Sequence, residues 1–230
     1  MTTPQLLEAL RSFDTPTICN ALERVVPERT GYGYTTRPLV CARPELPPIV
    51  GYARTATIRS AQPSSGGAAA DREARLAYYQ SIAVAPHPTI TVIEDLDPEP
   101  GFGAWWGEVH THVHRGLGSL GVVTNGSARD LDQLAEGFQV LAGSVAPSHA
   151  YVYPVEWDIP VVVHGMQVQP GDLVHADRHG AVVIPKDAAA EVPAAAVAIA
   201  NGESVLIEAS KKPGFDFEVL RSLLTGSGDH

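Results

Sequence analysis

An arginine and an aspartate, Arg129 and Asp130, stand side by side shortly after an apolar run at residues 120–124 that is typical of a buried strand. Arginine is a planar donor for carboxylates, and aspartate offers hard oxygen to Mg²⁺ or Mn²⁺. A strand-to-helix turn at residues 125–130 would project both side chains into one cleft. From spacing alone, the commoner outcome is an exposed ion pair in which Asp130 caps a helix over about residues 130–136.

A second candidate site lies at Gly107-Glu108-Val109-His110, where the pattern predicts a helix over about residues 108–115. Free backbone N–H groups at a helix start favour an anion, and Glu108 adds a carboxylate nearby. The alternative is that Glu108 is an ordinary first-turn acid that stabilises the helix dipole.

Three histidines, His110, His112 and His114, fall within five residues of this predicted helix. His110 and His114 would share a face at i,i+4, as in helical zinc sites, which makes a zinc hydrolase one alternative. The glutamate that follows the first histidine of such motifs is missing, and the sequence singles out no third ligand. Packed or solvent-facing histidines are therefore the simpler interpretation. Ser148 and His149 have no acid placed to complete a triad, which argues against serine hydrolysis.

The elements that must position these residues alternate between helical and strand patterns. Helices are predicted at about residues 5–13, 14–25, 71–83, 108–115, 130–136 and 187–206, and strands at about 50–58, 89–93, 120–124, 140–142, 161–163 and 182–184. No internal repeat or linker divides the chain, so the pattern predicts one α/β domain.

Composition excludes several classes of protein. The 230 residues are 44% hydrophobic and 18% charged, which is enough apolar material for a core. The net charge of −10 argues against nucleic-acid binding. No run of about 18 apolar residues predicts a membrane span, and the first residues do not resemble a signal peptide. Cys19 and Cys41 are too few for a disulfide framework. We expect a soluble, cytoplasmic protein.

The segment LGVVTNGSARD at residues 120–130 resembles the signature of the RraA-like family. That family includes 4-hydroxy-4-methyl-2-oxoglutarate aldolases, related oxaloacetate decarboxylases and regulators of ribonuclease E activity. Three further segments are similar to the family in the same order, at residues 13–22, 51–56 and 168–185. The resemblance implies a single layered αββα domain of the swivelling-domain type over residues 1–230, with a peripheral tail from about residue 211. It also implies a homotrimer or hexamer with sites between subunits.

In the family's aldolases, the aspartate of the Arg-Asp pair binds a divalent metal, and the arginine holds the substrate carboxylate and polarises its keto oxygen. The resemblance therefore implies that Arg129 is catalytic and that Mg²⁺ (or Mn²⁺) lies on Asp130. Glu108 would reach the metal through water, and an acid from a neighbouring subunit, Glu203 in preference to Glu208, would add a further ligand. The implied substrate contacts are Arg129, Gly107, Val109, His110 and His149.

The leading hypothesis is a metal-dependent carbon–carbon lyase, an aldolase or decarboxylase, acting on a small 2-oxo (di)carboxylic acid. The pyruvate enolate that such cleavage leaves would be stabilised by the metal and Arg129, with His110 or His149 moving protons. Asn125 stands where the family usually has Asp, and the histidine-rich helix departs from the typical aldolase. The alternative of a different class is a non-enzymatic, protein-binding regulator of ribonuclease E type.

Overall fold

Apolar runs and amphipathic stretches alternate along the chain, and the computed structural model, which describes residues 3–86 and 88–226, folds them into strands and helices. The helices are α1 (Pro4–Arg11), α2 (Thr15–Val25), α3 (Gly67–Ala83), α4 (Glu108–Gly116), α5 (Val192–Ser210) and α6 (Phe217–Gly226). The strands are β1 (Val40–Cys41), β2 (Ile49–Arg59), β3 (Thr89–Asp95), β4 (Ala104–Trp106), β5 (Ser119–Thr124), β6 (Ser127–Ala128), β7 (Gln139–Ala142), β8 (Ser144–Val145), β9 (Tyr153–Trp157), β10 (Val161–Val163), β11 (Met166–Val168), β12 (Leu173–Asp177) and β13 (Gly180–Ile184). Short 3-10 turns lie at Pro27–Arg29 and Leu131–Gln133.

The main sheet is curled and mixed, with strand order β1-β7-β5-β3-β2-β12-β13 and with β9 also paired to β2. Strands β2, β3, β5 and β7 are mutually parallel, whereas the outer pairings are antiparallel. Parallel neighbours present their carboxyl ends at one edge of a sheet, which is where open α/β sheets bind ligands. The loops that follow β2, β3 and β5 therefore meet at one edge.

The central strands are buried on both faces, as parallel strands between layers require. In β3, Ile93 packs with α3 and β4 on one face, and Val92 packs with the β10–β11 hairpin on the other. Neighbouring residues of a strand point to opposite faces, so one strand serves both layers. A third apolar cluster joins α1, α2 and α5 to the β12–β13 hairpin. The mixed α/β class predicted from the sequence is thus observed.

Helix α2 begins where the sequence predicts. Asp14 caps it by accepting a hydrogen bond from the Thr17 N–H at 2.9 Å, and Pro16 lies in the first turn. Such a cap contributes about 1 kcal/mol, because it satisfies an N–H that the helix itself leaves without an acceptor.

Two predicted helix starts and one predicted helix are wrong. The helix expected from residue 71 begins at Gly67, and the one expected from residue 187 begins at Val192, since Pro193 suits only a first turn. Residues 130–136 do not form an α-helix. Asp130 has φ of +52°, a left-handed conformation that cannot start one, and only a 3-10 turn follows.

Within the described ranges, α5 is the helix whose length and composition would suit a membrane crossing, with a mean hydropathy of 1.3. One such helix is weak evidence for a membrane protein. It carries Glu203 and Glu208, and it packs through Val192 and Ala196 onto the third apolar cluster.

Candidate active site

The loops at the carboxyl edge of the sheet are tied together by Asp97, which follows β3. Its Oδ2 accepts hydrogen bonds from the Ser60 N–H at 2.7 Å, the Ser60 hydroxyl at 2.9 Å and the Ala61 N–H at 2.8 Å. Ser60 Oγ in turn accepts from the Gly103 N–H at 2.9 Å. A buried carboxylate with several donors is stable only in a fixed arrangement, so this network fixes the path of the loop that leads into β4.

A second clamp joins the ends of β3 and β5. The Asn125 amide donates to the Asp95 carbonyl at 3.0 Å, and its oxygen accepts from the Asp95 N–H at 2.7 Å. The Asp95 side chain then accepts from the Gly101 N–H at 2.7 Å. Burial raises the pKa of Asp95, an effect that the N–H donors partly offset. An aspartate at position 125 would have no N–H donor for the Asp95 carbonyl. The asparagine side chain is therefore needed to make both hydrogen bonds to the Asp95 backbone.

Pairing of β4 with β6 places the two candidate catalytic residues. The Arg129 N–H donates to the Trp106 carbonyl at 2.7 Å, and the chain then turns through the left-handed Asp130. A non-glycine residue in that region costs about 1–3 kcal/mol and is characteristic of functional sites. Asp130 Oδ2 lies 3.5 Å from Arg129 Nε, with both side chains 34% exposed. The ion pair of the simpler interpretation is present, but Asp130 caps no helix with its side chain.

The start of α4 faces this pair. The Glu108 N–H donates to Asp130 Oδ2 at 3.3 Å, so the Val109 and His110 N–H groups are the next donors that α4 leaves without an intrahelical acceptor. Gly107 fits because it has no side chain: a Cβ there would lie 2.5 Å from Asp130 Oδ2. The Glu108 and Val109 side chains are exposed.

A cavity of about 480 Å³ opens beside these residues. Its wall includes Arg75, Trp105, Gly107, Val109, His110, Arg129 and His149. The structure therefore brings the predicted Arg129, the α4 start and both candidate proton carriers to one cavity. Glu203 lies elsewhere, in a groove between α2 and α5 with Glu23 and Leu224, so within one chain it does not join the site.

His110 forms part of the cavity wall as a neutral ring. Its Nδ1 lies 2.9 Å from the Tyr79 hydroxyl, and its ring packs on Trp105 with centroids 4.3 Å apart. Burial, aided by His114 and then by Arg75 and Arg129, lowers its pKa to about 3. A ring with that pKa is a hydrogen-bonding group near neutral pH and a weak base.

His114 is fully buried one turn later, with both ring nitrogens engaged. Its Nδ1 lies 2.6 Å from the His110 carbonyl and its Nε2 lies 2.7 Å from the Tyr78 hydroxyl. It therefore has no lone pair free for zinc. Across residues 3–86 and 88–226, no group of three or more His, Cys, Asp or Glu side chains is arranged to hold a metal ion. The zinc-hydrolase alternative has no support in this geometry.

Several residues of the site were not anticipated from the sequence. Asp95 and Asp97 belong to none of the candidate motifs, yet both organise the loops. Arg75, on α3, lines the cavity, and Tyr79 on the same helix contacts His110, although this helix carries no motif. Ser60 gave no signal, since its role depends on contacts with segments 37 and 43 residues away.

A family model described as RraA-like, Aldolase/RraA, matches residues 15–183. The chain therefore belongs to the RraA-like family, and the family predicted from the sequence is confirmed.

Individual relatives are similar over parts of the chain. A protein named "Putative 4-hydroxy-4-methyl-2-oxoglutarate aldolase" from Burkholderia mallei is 41% identical over 69 residues, which cover 29% of this chain and 41% of that protein. Protein DlpA from Legionella pneumophila is 29% identical over 97 residues, which cover 41% of this chain and 16% of that protein. The chain thus spans less than half the length of these curated relatives.

Two solved structures share the fold. An uncharacterised protein from Pseudomonas syringae pv. tomato superposes with a TM-score of 0.72 at 25% identity, covering 98% of this chain and 97% of that one. A Streptomyces coelicolor protein, described as an unusual member of the RNase ES inhibitor RraA protein family, has a TM-score of 0.67 at 24% identity, covering 88% and 96%. The second likeness concerns the fold alone.

Proposed function

We propose that this protein is a divalent-metal-dependent carbon–carbon lyase that releases pyruvate from a small 2-oxo acid. The observation that carries the proposal is that Arg129 and the open N-terminus of α4 line one cavity, with Asp130 in contact with both. Relatives named as 4-hydroxy-4-methyl-2-oxoglutarate aldolases support the reaction class.

The donor set fits Mg²⁺ or Mn²⁺ better than zinc. Mg²⁺ is commonly held by one or two carboxylates, with water and substrate oxygens completing its coordination. Asp130 would bind it directly and Glu108 through water, since Asp130 contacts the Glu108 N–H at the start of α4. We further propose that the protein forms a homotrimer or hexamer in which Glu203 from a neighbouring subunit adds a carboxylate to the metal site. We also propose that the protein is cytoplasmic. When bound, the metal supplies Lewis-acid stabilisation of the developing enolate.

Arg129 and the α4 start would bind the 2-oxo acid end of the substrate. The Val109 and His110 N–H groups are oriented donors for its carboxylate, as at other helix N-termini. The Arg129 guanidinium stabilises the negative charge that develops on the keto oxygen when the bond beyond C3 breaks. The helix holds its N–H groups in place before the substrate arrives, which is the condition under which electrostatic stabilisation is strongest.

Proton transfer is assigned to His149. Aldol cleavage removes the proton of the 4-hydroxyl group, and the enolate then takes a proton at C3. His110, with its pKa lowered to about 3, is too weak a base for the first step near pH 7. His149 is exposed at the cavity rim, and its Nδ1 is occupied by the Ala150 carbonyl at 2.7 Å. Its Nε2 is the nitrogen left for the substrate.

The test is pyruvate formation from a panel of 2-oxo acids with Mg²⁺ or Mn²⁺ and with EDTA. Arg129→Ala and Asp130→Ala are each expected to lower kcat/KM by at least about 100-fold, the usual cost of one preorganised electrostatic group. Arg178→Ala is the matched control, because Arg178 also neighbours an aspartate but is exposed in the β12–β13 turn. Full metal-dependent activity in either site variant would refute the proposal. No turnover with any metal would favour the non-enzymatic regulator of ribonuclease E type.

A further inference from the structure

Arg75 is a cation on the cavity wall that no carboxylate neutralises within the described ranges. Other arginines around the sheet have partners, as Arg54 has Asp158 and Arg129 has Asp130. Arg75 instead lies over the Trp105 ring, with Cζ 5.7 Å from the ring centroid, and its Nε is buried without a hydrogen-bond partner. A guanidinium on a cavity wall without a carboxylate partner suits a planar anion such as a carboxylate.

One carboxylate, Asp71, shares the cavity wall with Arg75 but forms no ion pair with it. Asp71 lies one turn earlier on α3 and accepts a hydrogen bond from the Ser64 hydroxyl. The cavity wall thus holds two guanidiniums from separate elements, Arg75 from α3 and Arg129 after β6. Both lie close enough to His110 to lower the pKa of its ring. Arg129 has Asp130 as a partner, so in the described part of the chain Arg75 is the guanidinium of this wall that still lacks an anionic group.

We propose that Arg75 determines specificity by binding a second carboxylate, at the end of the substrate remote from the 2-oxo acid group. It thereby favours aldol cleavage of 4-hydroxy-2-oxo dicarboxylic acids over decarboxylation of oxaloacetate. This inference rests on the proposed function of the same cavity. Arg75 is a binding residue and takes no part in bond breaking.

The two reactions differ in what happens to the second carboxylate. In 4-hydroxy-2-oxoglutarate the hydroxyl proton leaves, the C3–C4 bond breaks, and its electron pair forms the pyruvate enolate, which is protonated at C3. The products are pyruvate and glyoxylate, and the remote carboxylate keeps its charge throughout. In oxaloacetate the remote carboxylate itself becomes neutral CO₂. A cation that holds it stabilises the ground state more than the transition state, which slows decarboxylation.

The experiment compares Arg75→Gln with the wild type on three substrates. For 4-hydroxy-2-oxoglutarate, kcat/KM is expected to fall about 10- to 100-fold, the usual effect of losing a charge-assisted hydrogen-bond pair. For 4-hydroxy-2-oxopentanoate, which has a methyl group in place of the remote carboxylate, kcat/KM should change less than about threefold, since it makes no such pair. Oxaloacetate decarboxylation should be unchanged or faster. Arg75→Lys should recover part of the loss, because it restores charge without the planar fork.

Arg72→Gln is the matched control, because Arg72 lies on the same helix with its side chain exposed. Equal losses on both hydroxy acids, or a parallel loss on oxaloacetate, would overturn the assignment and indicate a structural role. If the wild type turns over none of the three substrates, the proposed function fails. The role of Arg75 in binding a second carboxylate is then tested by calorimetric measurement of ligand affinity. Weaker binding of 2-oxoglutarate with unchanged binding of pyruvate in Arg75→Gln supports the assignment, and equal binding of 2-oxoglutarate by both proteins overturns it.

Discussion

Acid should destabilise this protein through His114 well before its carboxylates are protonated. The ring is fully buried, and because a carbonyl only accepts, the proton must sit on Nδ1, which faces the His110 carbonyl. Nε2 then accepts from the Tyr78 hydroxyl, whose pKa burial raises well above its ordinary value. A second proton on the ring would leave Tyr78 without an acceptor in a buried site, so the fold requires the neutral imidazole.

The size of the effect follows from the pKa of His114, which burial lowers from 6.5 to about 4. Above pH 6.5 the ring is neutral in both folded and unfolded chains, and its contribution to stability is fully present. As the pH falls from 6.5 towards 4, the unfolded chain takes up a proton that the folded chain does not, so stability decreases. At about 1.4 kcal/mol per pH unit, His114 alone removes about 2 kcal/mol by pH 5.

The assay is urea denaturation followed by far-UV circular dichroism at pH 7, 6 and 5, at one protein concentration. His114→Gln keeps a donor and an acceptor but cannot titrate, so its unfolding free energy should fall by about 2 kcal/mol less than that of the wild type between pH 7 and pH 5. His112→Gln is the control, because His112 is exposed on the same helix and bonds the Glu108 carbonyl. Equal pH dependence of His114→Gln and the wild type would refute the reasoning.

Two further substitutions test the geometry around the candidate site. Gly107→Ala places a Cβ 2.5 Å from Asp130 Oδ2, so it should abolish lyase activity with little change in circular dichroism. The control is Gly116→Ala at the other end of α4, whose Cβ meets nothing within 4 Å and which should leave the activity unchanged. An active Gly107→Ala variant would contradict this reasoning. Asn125→Asp removes the donor to the Asp95 carbonyl and should cost about 1–3 kcal/mol at pH 7. An unchanged melting temperature would show that the clamp is unimportant.

Local chemistry made part of the fold predictable. The cap and proline of α2 and the apolar run of β5 are signals carried by a few neighbouring residues, and both elements lie where expected. The turn after β6 was mispredicted as a helix, because Arg129 and Asp130 are good candidates for a helix start by composition. Their conformation is decided by pairing of β6 with β4, whose contacts lie more than 20 residues away in the chain.

The predicted residues of the site lie in short recognisable segments, whereas the role of the unpredicted ones depends on contacts distant in the chain. Arg129, Asp130 and Glu108 belong to short segments with recognisable spacing. Arg75 has no such context: its neighbours on α3 are mostly exposed alanines and charged residues, and it becomes notable only because the fold lays α3 against Trp105. A residue whose role depends on the assembled cavity leaves no trace in the local sequence.

The lowered pKa of His110 bears on the charge of the cavity wall. A chain with net charge −10 repels an anionic substrate at a distance, but that repulsion is screened beyond about 8–10 Å at physiological salt. On the cavity wall itself, Arg75 has no carboxylate partner among the described residues, Arg129 is paired with Asp130, and the half-buried His110 is uncharged. Protonating His110 would be opposed by the two charges that bind the substrate. With His110 neutral, the positive charge on this wall belongs to the two arginines, and Arg75 is the one left for a second carboxylate of the substrate.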